Sequence, residues 1–286
     1  MTEPRDLTLL ACQIDVPETP DAAARDSHLR SVVARIRAVA EPGQYDLIVL
    51  PELSAIEYSE AAFARLDLLA EPLEGPSFMV FAELAQAVRA TVVYGFARRD
   101  EAGRHFICQA AVGPDGVLLG FYDKLHLAQF GDSAEAGAFR AGDHLFQFEI
   151  CGLRIAPLIC YDIRFPELTA RLAADGVDLV LQCSAYAHDL SFHSWRPFVV
   201  TRAMEQGLAW LGLNRAGDGW GGSIWCPGYA DAAAPEQVFG PKECFVPLQL
   251  PRDFRRGNAE RLPFDRDRRG DYAGLPVHRA EVPGGG

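Results

Sequence analysis

The sequence predicts a layered α/β protein. Short apolar runs of strand length alternate along the chain with amphipathic stretches of helical length, the pattern of sheets covered by helices. Composition agrees: 49% hydrophobic and 23% charged residues is the balance of a soluble globular chain with a sizeable core, unlike a disordered or membrane chain.

Strand-like runs lie at 7–14 (LTLLACQI), 46–50 (DLIVL), 91–97 (TVVYGFA), 106–112 (FICQAAV), 117–122 (VLLGFY), 153–159 (LRIAPLI), 177–182 (VDLVLQ) and 208–213 (LAWLGL). Helical patterning covers 21–40, 76–90, 165–175 and 195–207. Gly113-Pro114-Asp115-Gly116 is a turn signal between two of the runs and predicts a hairpin that delivers Lys124 just past a strand end. Pro166 suits the first turn of the helix that begins there.

At roughly 150 residues per domain, the length of 286 would allow two domains or one large one. No repeat, linker or low-complexity tract divides residues 1 to about 250. We therefore expect one domain over 1–250 and a looser, partly mobile extension over 251–286, ending in Pro-Gly-Gly-Gly.

Lys and Arg number 27 against 39 Asp and Glu, a formal charge of -12, which argues against a nucleic-acid backbone or an anionic membrane as partner. The Arg-rich stretch from Arg252 to Arg269 is interleaved with acids and reads as a solvated tail. The N-terminus, MTEPRDLTLLACQID, reads as neither signal peptide nor anchor, so a cytoplasmic location is expected. The cysteines at 12, 108, 151, 160, 183, 226 and 244 are odd in number and form no C-x-x-C pair, which predicts reduced thiols.

Three residues stand out chemically. Cys160 ends the apolar run RIAPLI and precedes a helix start, where backbone N–H groups favour thiolate and can hold an oxyanion; on that ground alone it is as readily a buried, inert thiol. Glu52 follows DLIVL within Leu-Pro-Glu-Leu, at the C-terminal end of a strand, where α/β proteins place functional groups, although a surface loop acid would look the same. Lys124, in Tyr-Asp-Lys-Leu-His-Leu, is one of two lysines in an arginine-using chain and hints at a need for a compact ammonium. A carboxylate, an ammonium and a thiol brought together can perform amide hydrolysis. The carboxylate relays the thiol proton to the leaving amine, and the ammonium stabilises the tetrahedral oxygen.

LPEL at 50–53, YDKLHL at 122–127 and CYDIRFPEL at 160–168 resemble, in order and spacing, the three signature segments of the nitrilase (carbon-nitrogen hydrolase) superfamily. The likeness continues through Trp195, Arg202 to Glu205, Asn214, Gly222-Ser223 and Pro227-Gly228, and weakly to Asp267 to Arg269. The resemblance implies a four-layer α-β-β-α sandwich, with Glu52 as general base and acid and Cys160 as the nucleophile that forms a thioester. It implies Lys124 as oxyanion binder, assisted by the backbone N–H of Tyr161, and no cofactor or metal. A second glutamate after the lysine motif, which orients the lysine, matches Glu135 best. A homo-oligomer built through helices flanking the nucleophile is implied as well.

Rival readings stand beside this one. His126 or His193 would serve a cysteine-histidine hydrolase, and His188, Asp189 and His193 are conceivable ligands of a metal, although their spacing matches no standard zinc pattern. No G-x-S-x-G or G-x-x-x-x-G-K-[ST] motif appears, which leaves serine esterases and nucleotide hydrolases without an anchor. An inactive binding module of the same fold is the non-enzymatic reading, and it gives no reason for keeping Glu52, Lys124 and Cys160 together.

For substrate, CYDIRFPEL is similar to the ω-amidase-like branch, in which the arginine after the nucleophile, here Arg164, can meet a substrate carboxylate. The same arginine would be structural if it paired with Glu167 or Glu205. Tyr58, Phe130, Tyr186, Trp195 and Trp220 are candidate pocket walls. The loop SAYAHDLSFHSW at 184–195 departs from the versions common in that branch, so N-carbamoyl amino-acid hydrolase and nitrilase activities stay open beside a small-molecule amide.

Overall fold

The computed structural model describes residues 5–129 and 133–278. Its strands are β1 (Leu7–Gln13), β2 (Leu47–Val49), β3 (Thr91–Arg99), β4 (His105–Val112), β5 (Leu118–Asp123), β6 (Phe148–Ile150), β7 (Leu153–Ile159), β8 (Leu179–Cys183), β9 (Ala209–Leu213), β10 (Ile224–Pro227), β11 (Gln237–Val238) and β12 (Cys244–Leu250). They form two six-stranded sheets, ordered β12-β1-β2-β3-β4-β5 and β11-β10-β9-β8-β7-β6.

Alternation along the strands sorts the core into layers. Leu7, Leu9 and Ala11 of β1 cluster with Ile155, Leu179, Leu181, Leu211 and Leu213 of the second sheet, so one face of each sheet packs against the other. Leu10, Cys12, Val92 and Tyr94 point the opposite way, into a cluster with Leu29, Val32 and Ile36 of the helix Ala22–Arg37 and Phe81 and Leu84 of the helix Pro76–Val88. On the second sheet, Leu158, Val180 and Trp210 meet Leu168 and Leu172 of the helix Pro166–Ala174 and Val199 and Ala203 of the helix Trp195–Gln206. Helix, sheet, sheet, helix is the expected sandwich.

The expected helices are present with trimmed ends. Asp21 caps the first by accepting the Ala24 N–H, Pro76 and Pro166 sit in first turns, and Gly207 closes the fourth in the left-handed conformation. Periodicity missed β6, β10, β11 and β12. Of these, β12 carries Pro247, which argues against a central strand; its place at the sheet edge, antiparallel to β1, resolves the conflict. Beyond it, the helix Phe254–Arg261 inserts Phe254 into the inter-sheet core, and Arg255 pairs with Asp178 at 2.8 Å. Part of the Arg-rich segment is thus docked on the second sheet. Among the described residues, no helix is long and apolar enough to cross a membrane.

β1, β2 and β3 are mutually parallel, as are β7, β8 and β9, while β5 shares the direction of β3 because both run antiparallel to β4. The segments that leave β2, β5, β7, β8 and β9 meet at one end of the sandwich, and the chemistry gathers there.

Candidate active site

Glu52 sits on a tight turn after β2. Leu53 adopts φ +46°, and the chain passes so close to β3 that a Cβ on Gly95 would stand 2.5 Å from the Pro51 carbonyl oxygen. The buried Arg215 guanidinium holds this turn, donating to the carbonyls of Glu52 (3.1 Å), Leu53 (2.5 Å) and Ile56 (2.7 Å). The Glu52 carboxylate is fully buried; it accepts from Lys124 Nζ at 2.8 Å and from the Ala185 N–H at 2.7 Å.

Lys124 follows β5 directly. Its N–H donates to the Ile107 carbonyl at 2.9 Å and its own carbonyl accepts the Gly142 N–H at 2.9 Å, so the backbone is fixed on both sides. Its ammonium also donates to Glu135 Oε1 at 2.6 Å. Glu135 is fully buried in turn, with Oε2 accepting the Ala128 N–H (2.8 Å) and Oε1 the Tyr58 hydroxyl (2.6 Å).

Cys160 directly follows β7 and has φ +43°, a left-handed conformation that costs a non-glycine residue on the order of 1–3 kcal/mol and recurs at functional sites. A 3₁₀ turn, Cys160–Arg164, follows at once. The Gln182 amide donates to the Cys160 carbonyl at 3.0 Å, and Sγ lies 3.9 Å from the Ala185 carbonyl oxygen. The thiol, 8% exposed, lines a cavity of about 240 Å³ together with Tyr58, Tyr161, Arg164, Tyr186, Asp189 and Trp220.

The cluster holds two carboxylates, one ammonium and one thiol out of water. Burial, and then the charge of Glu135, push the Glu52 carboxyl above its ordinary range against the pull of Lys124. Burial, and then Glu52, push the Cys160 thiol well up. For Lys124 burial opposes the charge, yet Glu135 and Glu52 outweigh it and the ammonium is held. At rest, then, the site contains a neutral thiol beside a carboxylate of unusual basicity. The arrangement can transfer a proton from the thiol to a carboxylate as the sulfur attacks.

Sequence reasoning placed Glu52, Lys124, Glu135 and Cys160 together, and the structure brings these four together. Tyr58, Tyr161, Arg164 and Tyr186 reach the cavity; Trp195 does not. It is 1% exposed, its ring tilted against that of Tyr186 at 4.9 Å, and its indole N–H donates to the Gly222 carbonyl at 2.8 Å, so its part is to support the wall. Phe130 lies outside the described residues. Arg164 donates to the Tyr186 hydroxyl at 2.6 Å, and its guanidinium lies over the Phe198 ring at 5.1 Å; it pairs with neither Glu167 nor Glu205. The Glu205 partner is Arg202, at 3.0 Å.

His126 is turned to Asp162, with Nδ1 at 2.7 Å from Oδ1 and its ring stacked on Phe165 at 3.6 Å. His188 and His193 are exposed, and among the described residues no three His, Cys, Asp or Glu side chains gather as a metal would need. Asp162, Gln182, Asn214 and Arg215 carry supporting hydrogen bonds, and of these only Asn214 drew notice in the sequence. The signal for Asp162 was its place two residues after the nucleophile, between a Tyr and a His that flank Lys124.

The carbon-nitrogen hydrolase family model matches residues 10–235. An (R)-stereoselective amidase from a Pseudomonas species is 30% identical over 213 residues, 74% of each chain. The ω-amidase YafV of Escherichia coli is 32% identical over 178 residues, 60% of this chain and 62% of that one. The match to a hydrolase in the pqqF 5′ region of Pseudomonas protegens, 38% identical over 149 residues, spans about half of each chain, 51%. Among solved structures, XC1258 from Xanthomonas campestris, a CN-hydrolase superfamily protein with an arsenic adduct in its active site, superposes with a TM-score of 0.76 at 25% identity, covering 93% of this chain and 98% of that one. With the family model spanning most of the chain, the sandwich shared and the motif pattern that of the ω-amidase-like branch, the protein belongs to the carbon-nitrogen hydrolase family of the nitrilase superfamily.

Proposed function

We propose that the protein hydrolyses a small amide through a thioester on Cys160, with Glu52, Lys124 and Glu135 completing the machinery. The observation that carries this reading is the Lys124 ammonium held between Glu52 (2.8 Å) and Glu135 (2.6 Å) beside a thiol that lines a small cavity.

In the first half-reaction the Cys160 sulfur attacks the amide carbonyl carbon while its proton passes to Glu52. The tetrahedral oxygen takes its negative charge toward the Lys124 ammonium and the Tyr161 backbone N–H. Glu52 then gives the proton to the leaving nitrogen, the carbon-nitrogen bond breaks, and ammonia or an amine departs from a thioester. In the second half-reaction Glu52 takes a proton from water, the resulting hydroxide adds to the thioester carbon, and collapse expels the sulfur, which recovers the proton. Glu135 holds Lys124 in place and keeps a second buried carboxylate near Glu52, which raises the basicity on which the scheme relies.

Arg164 extends the reading to substrate. Its guanidinium lines the cavity that contains Cys160, and a fork of this kind suits a carboxylate, in keeping with the ω-amidase among the relatives. We therefore infer a carboxylate-bearing amide. A homo-oligomer in a reducing compartment, where the seven unpaired cysteines stay thiols, belongs to the same proposal.

Ammonia release over a panel of amides, N-carbamoyl amino acids and nitriles tests it, with mass spectrometry of the enzyme during turnover. Acyl addition at Cys160 with amides, lost in Cys160→Ala, is the expected result. Turnover confined to nitriles or carbamoyl compounds would redirect the substrate class, and turnover in Cys160→Ala would end the thioester scheme.

A further inference from the structure

We propose that the cavity accepts a zwitterion: a free α-amino acid with a side-chain carboxamide, its carboxylate meeting Arg164 and its ammonium meeting Asp189. This rests on the amide-hydrolase reading of the same site and narrows its substrate class.

The two charged side chains reach the cavity wall from different segments. Arg164 comes from the turn after β7, next to the nucleophile; Asp189 comes from the loop after β8, which also supplies Ala185, Tyr186, Ala187 and Ser191 to the wall. Asp189 is held in place, its Oδ1 accepting the Ser191 N–H at 2.7 Å, and no described cationic side chain forms an ion pair with it. A half-buried carboxylate in the wall of a cavity needs a positive partner where substrate displaces water from it. The monoamide of a dicarboxylic acid would satisfy Arg164 and leave Asp189 facing an anion. An N-carbamoyl amino acid has the same fault, since its nitrogen is acylated and uncharged. An amino acid with both charges on its α-carbon answers Arg164 and Asp189 at once and leaves the side-chain carboxamide to reach Cys160. The rings of Tyr58, Tyr186 and Trp220 in the same wall favour an ammonium as well. A volume of about 240 Å³ suits a ligand of amino-acid size.

The test compares kcat/KM for ammonia release within matched pairs that differ only in the amine: L-glutamine against glutaramic acid, and L-asparagine against succinamic acid. In the native chain the amino-bearing member of at least one pair is expected to lead by about fivefold or more, the scale of one part-exposed charge pair. Asp189→Asn is expected to bring that ratio near one, mainly through KM, and Asp189→Lys to invert it. The deaminated member reports folding in each variant, so a misfolded protein cannot imitate the result. Preference of the native chain for the deaminated member, or an equal fall on both members in Asp189→Asn, overturns the proposal. Hydrolysis of propionamide with neither pair turned over also overturns it and leaves the amide-hydrolase reading standing, whereas no turnover of any amide sinks both.

Discussion

Asp162 Oδ1 lies 2.7 Å from His126 Nδ1 and 3.0 Å from the His126 backbone nitrogen, so a carboxylate in the nucleophile turn anchors the loop just past Lys124. Its other oxygen accepts from the Tyr122 hydroxyl at 2.7 Å and from the Ile159 N–H at 3.1 Å. Tyr122 and His126 stand two residues to either side of Lys124, and Ile159 precedes Cys160. One buried acid therefore sets the ammonium relative to the thiol.

Asp162→Asn replaces one acceptor oxygen with a donor that faces other donors. Lost hydrogen bonds to a charged group of this kind cost about 2–3 kcal/mol, which lowers the melting temperature by several degrees in a chain of this size. We expect that shift in a thermal melt, with kcat for amide hydrolysis down at least about tenfold while a small alkylating reagent still modifies Cys160. Unchanged kcat would show that Lys124 keeps its place without Asp162.

The sequence made the strands before Glu52 and Cys160 legible because β2 and the Ile155–Ile159 part of β7 are apolar runs, and Lys124 because a turn signal precedes β5. Glu135 came only from resemblance, since a buried carboxylate in a loop has no periodicity. Asp162 and Arg215 escaped because their partners are remote in sequence and largely backbone: Arg215 binds carbonyls near residue 52, and no pattern within a window of fifteen residues reports that. The edge strand β12 escaped through Pro247, whose cost depends on a sheet edge that only the assembled fold defines.

The raised Glu52 carboxyl sets the acid limb of the pH profile. Hydrolysis needs Glu52 ionised, so activity is present above its pKa and lost as pH falls through it. Because burial and Glu135 hold that pKa above the ordinary carboxylate range, the limb of kcat/KM should lie above about pH 4.5. In Glu135→Gln one raising influence is gone, and the limb should move to lower pH. Plateau kcat should drop at least about tenfold, since Lys124 loses a partner at 2.6 Å. A limb unmoved in this variant would mean that another group controls it.

Arg215 bears on the site without reaching the cavity. Burial pushes its guanidinium down to about 10, so it stays charged at neutral pH while serving three carbonyls of the Glu52 turn. Arg215→Met fills similar space and leaves those carbonyls without their donor, at a cost of about 3–5 kcal/mol. A fall in melting temperature of roughly 10 °C is expected, along with a loss of kcat, because Leu53 at φ +46° keeps its conformation only while the turn is held. A stable variant with normal kcat would assign the turn to the Gly95 contact alone.

Tyr186 tests how Arg164 works. Its hydroxyl accepts from Arg164 Nη2 at 2.6 Å and lies 3.1 Å from Ser194 Oγ, so it aims the guanidinium at the cavity from behind. Tyr186→Phe keeps the ring, its tilted contact with Trp195 at 4.9 Å and the Arg164 charge, and removes the hydroxyl that Arg164 and Ser194 meet. If Arg164 receives a substrate carboxylate, KM for a carboxylate-bearing amide should rise about five- to tenfold, with kcat nearly unchanged and propionamide unaffected. Arg164→Met should show the same selectivity with a larger rise, and Arg164→Lys should fall between, because an ammonium keeps the charge without the fork. Equal losses on charged and neutral amides would instead make the Arg164 hydrogen bond part of the wall that carries Tyr186, with carboxylate recognition assigned elsewhere in the cavity.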